Sequence, residues 1–341
     1  MAIYIIDIFL KNSKNIFEVE IKSVNGDLNY MQNKKYLVTV IMSTYNGQEY
    51  LEEQLESLLN QIGVKINLVV RDDGSKDSTV NILKKYSNKF HNLVVFSEIN
   101  IGATASFHKA AHLAMCEKET DYYAFCDQDD IWEEDKLITA INKLSLLDQD
   151  FPVLYYSNLM MVDNNGKKLG MLLNDSLICS SYNALAAIYT YGCTCVFNRV
   201  ALSKFCKLSH DFDFIYHDNW MYSVCMFLGF VVYDPDSKIN YRQTGKNVSG
   251  NKKTGIAVWG QRFSKILKLN KDKRIYENIA LSLINNFEEE IVADDLFLLK
   301  KICNYRFSLK DKFFLIFSKR MKTGNLSKDV CIVGRILLNK L

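Results

Sequence analysis

Short apolar runs alternate with helix-spaced apolar positions from residue 37 onward. The four runs are LVTVIM (37–42), INLVV (66–70), LVVF (93–96) and YYAFC (122–126). The stretches that follow them have helical spacing and span about 51–62, 77–86, 104–116 and 133–147. Four strand–helix units in succession predict an α/β fold with a mostly parallel, Rossmann-like sheet covered by helices.

The pattern changes after Pro152. Residues 153–170 predict a hairpin around Asn164-Asn165-Gly166, because alternating apolar positions flank a turn sequence. CTCVF (193–197) predicts a strand on which Cys193 and Cys195 share one buried face. NWMYSVCMFLG (219–229) predicts a helix, and the chain from about 251 is largely helical and basic.

Two other apolar stretches raise the question of targeting or membrane insertion. The N-terminal MAIYIIDIFL has no basic leader and no small-residue cleavage site, so it predicts a strand or hairpin appendage. Residues 176–198 carry no charge and are long enough to span a membrane. Serine, asparagine, threonine and tyrosine interrupt them, which favours a buried globular segment.

Charge and cysteine content narrow the class of protein. The net charge is +3, but residues 300–341 hold eleven Lys and Arg against two Asp, so the rest of the chain is acidic. The nine cysteines are scattered without a CxxC pair, which predicts a reducing compartment rather than a disulfide framework or a zinc site.

Polar residues follow all four predicted strands. They are STYN (43–46), RDDGS (71–75), NIG (100–102) and DQDD (127–130). In a doubly wound sheet, ligands bind beyond the carboxyl ends of the strands. The chain has no GxGxxG after the first strand and no GxxxxGK[ST], so glycine-rich phosphate binding is not expected. A Mg²⁺ or Mn²⁺ ion at Asp127-Gln128-Asp129 would neutralise a diphosphate instead.

The segments STYNGQEYLEEQLESLLNQ, RDDGSKDST and DQDDIW together resemble glycosyltransferase family 2, inverting enzymes with the GT-A fold. DQDDIW, HDNW (217–220) and YRQTGKNVSG (241–250) are most similar to bacterial rhamnosyltransferases of polysaccharide assembly. The resemblance implies a GT-A domain at 36–250, with a nucleotide half (36–150) and an acceptor half (151–250). The flanks are an N-terminal appendage (1–35) and a helical basic region (251–341).

The resemblance also implies roles for individual residues. Those expected to bind the nucleotide sugar are Thr44, Tyr45, Asn46, Asp72, Asp73, Asn100, Gly102, Asp127, Arg242 and Gln243. Either Asp72 or Asp73 would bond the pyrimidine. Asp129, with Asp127, would bind the metal, while Arg242 and Gln243 close over the diphosphate. Ser43 stands where the family commonly has proline.

The same resemblance implies that Asp218 is the catalytic base and that the acceptor binds beside His217 and Trp220. The Trp220 ring would stack on a sugar face. Structural alternatives exist for these positions. Asp218 could cap the helix Asn219–Leu228 with Trp220 in the core, and Asp130 could cap a helix near Trp132. Arg242 could form a surface ion pair.

The function that these features imply is metal-dependent transfer of L-rhamnose from dTDP-L-rhamnose onto a hydroxyl of a growing bacterial surface polysaccharide. A UDP-hexose donor is the alternative. A nucleotidyltransferase would be expected to carry a glycine-rich signature, which is absent, and a non-catalytic carbohydrate-binding homologue would tolerate loss of Asp129 or Asp218, which are both present.

The basic C-terminal region fits either nucleic acid or an anionic membrane surface. KDKFFLIFSKRMK (310–322) interleaves aromatic and cationic residues, which is typical of an interfacial helix. A saccharide acceptor on a lipid carrier would require that placement. We therefore expect a cytoplasmic protein, peripheral at the inner face of the membrane, with no nucleic-acid partner. A plain packing region with a solvated basic face is the alternative.

Overall fold

The structure is a computed structural model that describes most of the chain. The described residues are 6–8, 19–21, 35–117, 120–163, 166–173, 185, 190–208, 215–243, 274–323 and 325–341. Two short strands near the N-terminus, β1 (Ile6–Ile8) and β2 (Val19–Ile21), pair antiparallel in a sheet of their own. This pairing agrees with the hairpin predicted for the segment.

Four strand–helix units follow, close to their predicted bounds. The strands are β3 (Tyr36–Thr44), β4 (Val64–Asp72), β5 (Asn92–Ser97) and β6 (Tyr122–Cys126). The helices are α1 (Leu51–Leu59), α2 (Thr79–Tyr86), α3 (Ala103–Ala114) and α4 (Lys136–Leu144). Leu51, Leu55 and Leu58 are buried, as their helical spacing predicts.

The order of these strands in the sheet is β5-β4-β3-β6, and each neighbouring pair is parallel. The chain builds outward from β3 through β4 to β5, and then returns to place β6 on the other side of β3. The strand order therefore reverses between β3 and β6. In open α/β sheets, the crevice beyond such a reversal is where ligands bind.

The sheet continues past β6 with shorter pairings. The further strands are β7 (Ile131–Trp132), β8 (Val153–Val162), β9 (Lys168–Met171), β10 (Val196–Phe197) and β11 (Phe230–Arg242). β8 and β9 form the predicted hairpin, and β8 pairs parallel with β11 over a long register. The antiparallel contacts of β10 and β7 each involve two residues. The mostly parallel sheet is therefore confirmed.

The segment after β6 differs from the prediction. Trp132 lies in strand β7, where it pairs with Ile239 of β11, and α4 begins only at Lys136. Asp130 therefore does not cap a helix at Trp132, and that alternative is wrong. The pairing partner lies more than a hundred positions away, so the local apolar pattern could not reveal it.

The two cysteines near 194 also differ from the prediction. Residues Gly192–Thr194 form a 3₁₀ turn, and the strand covers only Val196 and Phe197. Cys193 and Cys195 are both buried, but they belong to different hydrophobic clusters, Cys193 to the one that contains Val40 and Cys195 to the one that contains Ile41. The expectation of one shared face is wrong because the turn breaks the two-residue period of a strand.

The remaining helices extend the core on one face of the sheet. They are α5 (Arg199–Phe205), α6 (His217–Leu228), α7 (Ile275–Phe287), α8 (Ala293–Asn304), α9 (Leu309–Phe317) and α10 (Leu326–Leu337). Residues Ile279 and Leu283 of α7 join the same core as α6. Within the described ranges, every helix is too short or too polar to cross a membrane. Residues 176–184, 186–189 and 244–273 lie outside those ranges.

Candidate functional site

The carboxyl ends of β3, β4, β5 and β6 lie at one edge of the sheet, because the four strands are parallel. The predicted donor-binding residues at these ends are Thr44, Tyr45, Asn46, Asp72, Asp73, Asn100, Gly102 and Asp127. Arg242 ends β11, and Gln243 follows it. We divide the acidic residues of the site by their hydrogen bonds. Those of the satisfied group accept several hydrogen bonds from the protein, and those of the unsatisfied group accept few.

Asp72 belongs to the satisfied group. Its carboxylate accepts hydrogen bonds from the Thr44 hydroxyl at 3.0 Å and from the Ser75 hydroxyl and amide at 2.5 and 3.0 Å. The Ser97 hydroxyl donates a fourth at 3.2 Å. An ionised carboxylate has about four lone-pair sites, so these donors occupy Asp72. Thr44 is itself fully buried and faces this network rather than the crevice.

Asp73 forms a buried ion pair with Arg71. The Arg71 Nη1 atom lies 2.6 Å from Asp73 Oδ1, and the two side chains are 0% and 3% exposed. The amides of Ile101 and Gly102 donate to Asp73 at 2.8 and 2.9 Å. A pyrimidine N–H that donated to Asp72 would therefore replace a donor from the protein itself, and one that donated to Asp73 would join three protein donors.

Gln128 joins the end of β3 to the DQDD segment. The Tyr45 amide donates to Gln128 Oε1 at 2.9 Å, and Gln128 Nε2 donates back to the Tyr45 carbonyl at 3.1 Å. Gly47 leaves the space for this contact, since a Cβ there would lie 2.3 Å from Gln128 Oε1. Asn46, at a φ of 48°, accepts a hydrogen bond from the Lys76 amide. The Tyr45 side chain stays 48% exposed.

Asn100 and Gly102 lie in the exposed loop that leads from β5 into α3. Gly102 has a φ of 85°, a conformation that residues with a Cβ rarely adopt. Its amide donates to Asp73, as described above. The loop is therefore fixed by Asp73 while the Asn100 side chain stays exposed to solvent.

Asp127, Asp130 and Cys193 form the core of the unsatisfied group. One ligand atom from each lies within 4.8 Å of the other two. Burial raises the pKa of both carboxyls, and repulsion from neighbouring aspartates raises it further. Burial also raises the pKa of the Cys193 thiol well above its usual value, so the thiol stays neutral. Asp130 Oδ2 is buried without a hydrogen-bond partner among the described residues.

Arg242 lies beside Asp129. Its Nε donates to the Asp129 carbonyl at 3.2 Å, while its Nη2 lies 2.6 Å from Glu53 Oε2 and its guanidinium covers the Tyr50 ring. Burial raises the pKa of Asp129, and the Arg242 charge opposes that shift. The ion pair named as the alternative is present, but its Arg242 side chain is only 4% exposed while Glu53 is 58% exposed, so the guanidinium is buried rather than at the surface. Asp129 is not among the three residues grouped within 4.8 Å.

Lys136, the first residue of α4, is fully buried near this group. Burial lowers its pKa to about 8, and the negative charge of Asp130 partly opposes that shift. The Lys136 Nζ lies 3.4 Å from the centre of the Trp132 ring and makes no hydrogen bond to the described residues. One feature of the sequence indicated that Lys136 is buried. It precedes the apolar Ala140 by four positions, so the two residues lie on the same helix face.

Asp218 lies in the first turn of α6, whose N-cap position is Tyr216, so its interpretation as a helix cap is wrong. Its Oδ1 accepts a hydrogen bond from the Asn219 amide at 2.7 Å. Burial raises the pKa of Asp218 to about 6, and backbone hydrogen bonds from Asn219 and Gly192 limit that rise. The negative charge of Asp218 also contributes to the raised pKa of Asp127.

Trp220 and His217 do not occupy acceptor positions. Trp220 has no exposed surface, and its Nε1 donates to the Phe205 carbonyl at 2.9 Å. The expectation that it stacks on a sugar is therefore wrong, and the core alternative holds. The His217 ring stacks on Phe107 with 3.9 Å between ring centres. Its Nε2 would lie 2.2 Å from a Cβ at Gly192, so it packs against that backbone, and burial lowers its pKa to about 3.

A cleft of about 740 Å³ lies beside α1. Its lining is rich in glutamate and includes Glu52, Glu53, Glu56, Glu133 and Glu134. Such a lining repels an anionic diphosphate. It contains none of the clustered aspartates, so we do not take it as the donor site.

Several residues of the site were not predicted. Arg71, Ser75 and Ser97 hold the satisfied aspartates, while Glu53 and Lys136 surround the unsatisfied ones. Arg71 stands next to Asp72-Asp73 in the sequence, which was a usable sign of an internal counter-ion. Glu53 is separated from Arg242 by 189 positions, and nothing local connects them.

Comparisons with known proteins agree with this geometry. The family profile described as Glycosyl transferase family 2 matches residues 39–203. The dTDP-rhamnosyl transferase RfbG of Shigella flexneri is 29% identical over 218 residues, which cover 61% of this chain and 73% of that protein. The putative teichuronic acid biosynthesis glycosyltransferase TuaG of Bacillus subtilis is 38% identical over 110 residues, or 31% of this chain and 41% of that protein.

A solved structure gives the fold. The crystal structure of S. aureus TarS 1–349 superposes with a TM-score of 0.52 at 18% identity, covering 89% of this chain and 81% of that one. Together with the curled sheet and its flanking helices, this likeness confirms the predicted GT-A architecture. The chain is therefore a glycosyltransferase, and its residues 39–203, which include the strands and turns that carry the acidic groups, are similar to glycosyl transferase family 2.

Proposed function

We propose that this glycosyltransferase moves a sugar from a nucleotide-diphosphate donor to a hydroxyl of a saccharide acceptor, with inversion at the anomeric carbon. The observation that carries the proposal is the acidic pair Asp127 and Asp130, with Asp129 between them in the sequence, at the reversal of strand order. A diphosphate is itself anionic, so it binds beside these carboxyls only with a cation between them.

The residues present fit a divalent cation such as Mg²⁺ or Mn²⁺. The pKa values of Asp127, Asp129 and Asp130 are all raised, Asp127 and Asp130 lie close together, and one oxygen of Asp130 has no partner among the described residues. We assign the metal to Asp127 and Asp129, which are partly exposed, whereas Asp130 is 1% exposed. A bound metal would neutralise the charge of the leaving diphosphate. Cys193 is not expected to bind it, because these cations prefer oxygen.

Asp218 is the proposed general base. With a pKa of about 6 it is mostly ionised at neutral pH, yet basic enough to accept a proton. In the proposed step, the acceptor hydroxyl oxygen bonds to the anomeric carbon while the bond to the diphosphate oxygen breaks. The hydroxyl proton passes to an Asp218 carboxylate oxygen, and the electron pair leaves with the nucleotide. A single displacement of this kind inverts the anomeric centre.

Arg242 and Gln243 are the proposed donors to the leaving diphosphate. The Arg242 guanidinium is held beside Asp129, and Gln243 Nε2 is buried without a hydrogen-bond partner in the described part of the chain. Cationic and amide donors that are fixed in advance stabilise developing negative charge without reorganisation. Tyr45, Asn46 and Asn100, which are exposed at the same edge, are the proposed contacts to the nucleoside and sugar.

The proposed donor is dTDP-L-rhamnose. Its support is the resemblance of DQDDIW, HDNW and YRQTGKN to rhamnosyltransferases, together with the 29% identity to a dTDP-rhamnosyl transferase. The proposed acceptor is a surface polysaccharide carried on a lipid. One relative is named for teichuronic acid biosynthesis, which supports a polysaccharide product. A lipid-linked acceptor would place the enzyme at the inner face of the membrane.

The test is a panel of nucleotide sugars, with dTDP-L-rhamnose and UDP-hexoses assayed with Mn²⁺, Mg²⁺ or excess EDTA. We expect turnover of dTDP-L-rhamnose only with metal. Asp129→Asn should keep the fold and lose most of the turnover and the metal-dependent donor binding, measured by calorimetry. Turnover of UDP-hexoses alone would replace the donor assignment, and full activity in EDTA would overturn the metal role.

Asp130→Asn separates the two candidate ligand pairs. If Asp127 and Asp129 bind the metal, Asp130→Asn should bind Mn²⁺ more tightly than Asp129→Asn does. The reverse ranking would assign the metal to Asp127 and Asp130 instead. Both variants carry the same change of charge, so each controls for the other.

A further inference from the structure

Helix α9 presents an apolar face to solvent. Leu309, Phe313 and Phe317 recur every four residues, so they share one helix face, and they are 73%, 58% and 76% exposed. The opposite face carries Asp311 and Leu315, which are buried against the protein. The helix is therefore anchored by one face, while none of the described residues covers its more aromatic face.

The apolar surface extends beyond the helix. Phe307, just before α9, is 81% exposed. Phe314 packs edge to face on Phe297 of α8 with 5.5 Å between ring centres, and these side chains are 38% and 52% exposed. Single exposed apolar residues are ordinary, but a contiguous patch marks an interaction site.

Two lysines flank this patch, and no acidic side chain among the described residues neutralises their charge. Lys310 and Lys319 are exposed and make no ion pair with any residue the structure describes. Other cations of the region are already paired inside the protein, such as Lys301 with Asp311 and Arg306 with Glu277. The basic excess of the C-terminal region is thus partly internal, and two of its uncompensated charges lie at the patch.

We propose that this α9 face, formed by Phe307, Leu309, Phe313 and Phe317 with Lys310 and Lys319, binds an anionic lipid surface. The rings would enter the boundary between headgroups and acyl chains, and the lysines would meet the lipid phosphates. The positive charge of the face favours an anionic lipid surface over a second copy of the protein, because two copies would bring their lysines together. With nine residues, α9 is too short to span a bilayer and lies along its surface.

This inference extends the proposed function, since a surface-bound enzyme meets a lipid-linked acceptor where that acceptor resides. It does not depend on the donor, the metal or the base. Vesicle binding can be measured without substrate, so its failure leaves the transferase proposal untouched. Likewise, absence of turnover with every nucleotide sugar assayed would not contradict the proposed lipid contact.

The experiment is co-sedimentation of the full chain with vesicles of phosphatidylcholine alone or mixed with phosphatidylglycerol. The double substitution Phe313→Ser and Phe317→Ser should weaken binding to the mixed vesicles at least about tenfold, because two large apolar side chains no longer insert. Lys310→Glu with Lys319→Glu should weaken binding to the anionic vesicles and flatten its dependence on salt.

Matched controls come from exposed residues elsewhere. Leu169→Ser removes an apolar side chain that is 52% exposed, and Lys65→Glu with Lys84→Glu makes the same change of charge at two exposed lysines. Both controls should bind vesicles as the unaltered protein does. All variants alter surface positions, so their melting temperatures should agree within about 2 °C.

Either of two results would overturn the proposal. One is equal vesicle binding by the unaltered protein and both α9 variants. The other is absence of vesicle binding together with self-association that Phe313→Ser and Phe317→Ser abolish in analytical ultracentrifugation. The second result would make the face a contact between protein chains.

Discussion

Two sets of aspartates at the same sheet edge have opposite surroundings. Asp72 and Asp73, after β4, receive hydrogen bonds from three hydroxyls and three backbone amides, and Arg71 neutralises Asp73. Asp127 and Asp130, after β6, have raised pKa values and an oxygen without a partner in the described residues. The residue type and the position relative to the strand are alike, so the donors around them make the difference.

From this difference we expect a structural role for Asp72 and Asp73 and a ligand-binding role for the acidic group after β6. Asp72 and Asp73 fix the loops after β4 and β5, and nothing outside the chain is required to stabilise them. The acidic group after β6 carries negative charge that the chain compensates only in part, through Arg242 and Lys136. Perturbed carboxyls in a crevice mark functional sites more often than satisfied ones do.

The largest expected effect is on turnover in Asp218→Asn. Asparagine keeps the shape of the side chain but cannot take the acceptor proton, and general-base catalysis contributes about 10²–10⁴-fold. We expect kcat to fall by that factor while donor affinity, measured by calorimetry, stays nearly unchanged. Turnover close to that of the unaltered enzyme would mean that the base lies elsewhere.

The next effect concerns stability at the satisfied group. Asp73→Ala leaves the buried Arg71 guanidinium with Glu98, which is 45% exposed and 3.2 Å away, as its remaining carboxylate, and removal of one partner of a buried pair costs about 3 kcal/mol. Urea unfolding measures this loss. The matched control replaces both partners, Arg71→Met with Asp73→Ala, and should recover part of the stability. Equal stability of Asp73→Ala and the unaltered protein would remove the contrast between the two groups.

A smaller effect is expected at Glu53, which holds the Arg242 guanidinium at 2.6 Å. Glu53→Ala removes one of the contacts that order this guanidinium, so ordering it on the diphosphate costs about 1 kcal/mol more and the donor KM should rise about fivefold with kcat unchanged. Glu53→Gln keeps a hydrogen-bond acceptor and should restore most of the affinity. Glu52→Ala is the control, because Glu52 pairs with the exposed Lys85 instead.

The smallest effect is the pH dependence of stability at Asp218. Its pKa is raised from 3.8 to about 6 in the folded chain, so the protonated form favours folding. That stability is fully present below about pH 4 and is lost as the pH rises through about 6. Asp218→Asn removes this dependence and should melt about 2 °C higher than the unaltered protein at pH 7.5 without metal. The gain should shrink toward pH 4.5, and a pH-independent difference in melting temperature would contradict the assigned pKa.

Much of the fold followed from periodicity. The strands β3 to β6 and helices α1 to α4 were predictable because their apolar residues recur at the spacing of the element. Trp132 and Cys193 were placed wrongly, since pairing with β11 and a 3₁₀ turn decide their structure. The pairing involves a segment distant in sequence, which local spacing does not report, whereas the turn is closed locally and breaks the alternation that the prediction assumed.

The position of the site was predictable from the sequence, but the roles of its residues were less predictable. The strand ends gave the positions of Asp72, Asp73 and Asp127, because polar residues follow buried strands. Which carboxyls are satisfied depends on partners such as Ser97 and Arg242, and these arrive from other strands. Trp220 was assigned to the acceptor because aromatic rings suit sugars, although its neighbours bury it completely.

The contact between Gln128 and the Tyr45 backbone has a practical consequence for engineering donor specificity. It joins segments 83 positions apart, and Gly47 admits it only because it has no side chain. A loop graft that replaces 45–50 without 127–130 would force a Cβ into the Gln128 amide unless it kept this glycine. The two loops are therefore one module for redesign, and libraries that vary them together should yield more folded variants than libraries that vary either alone.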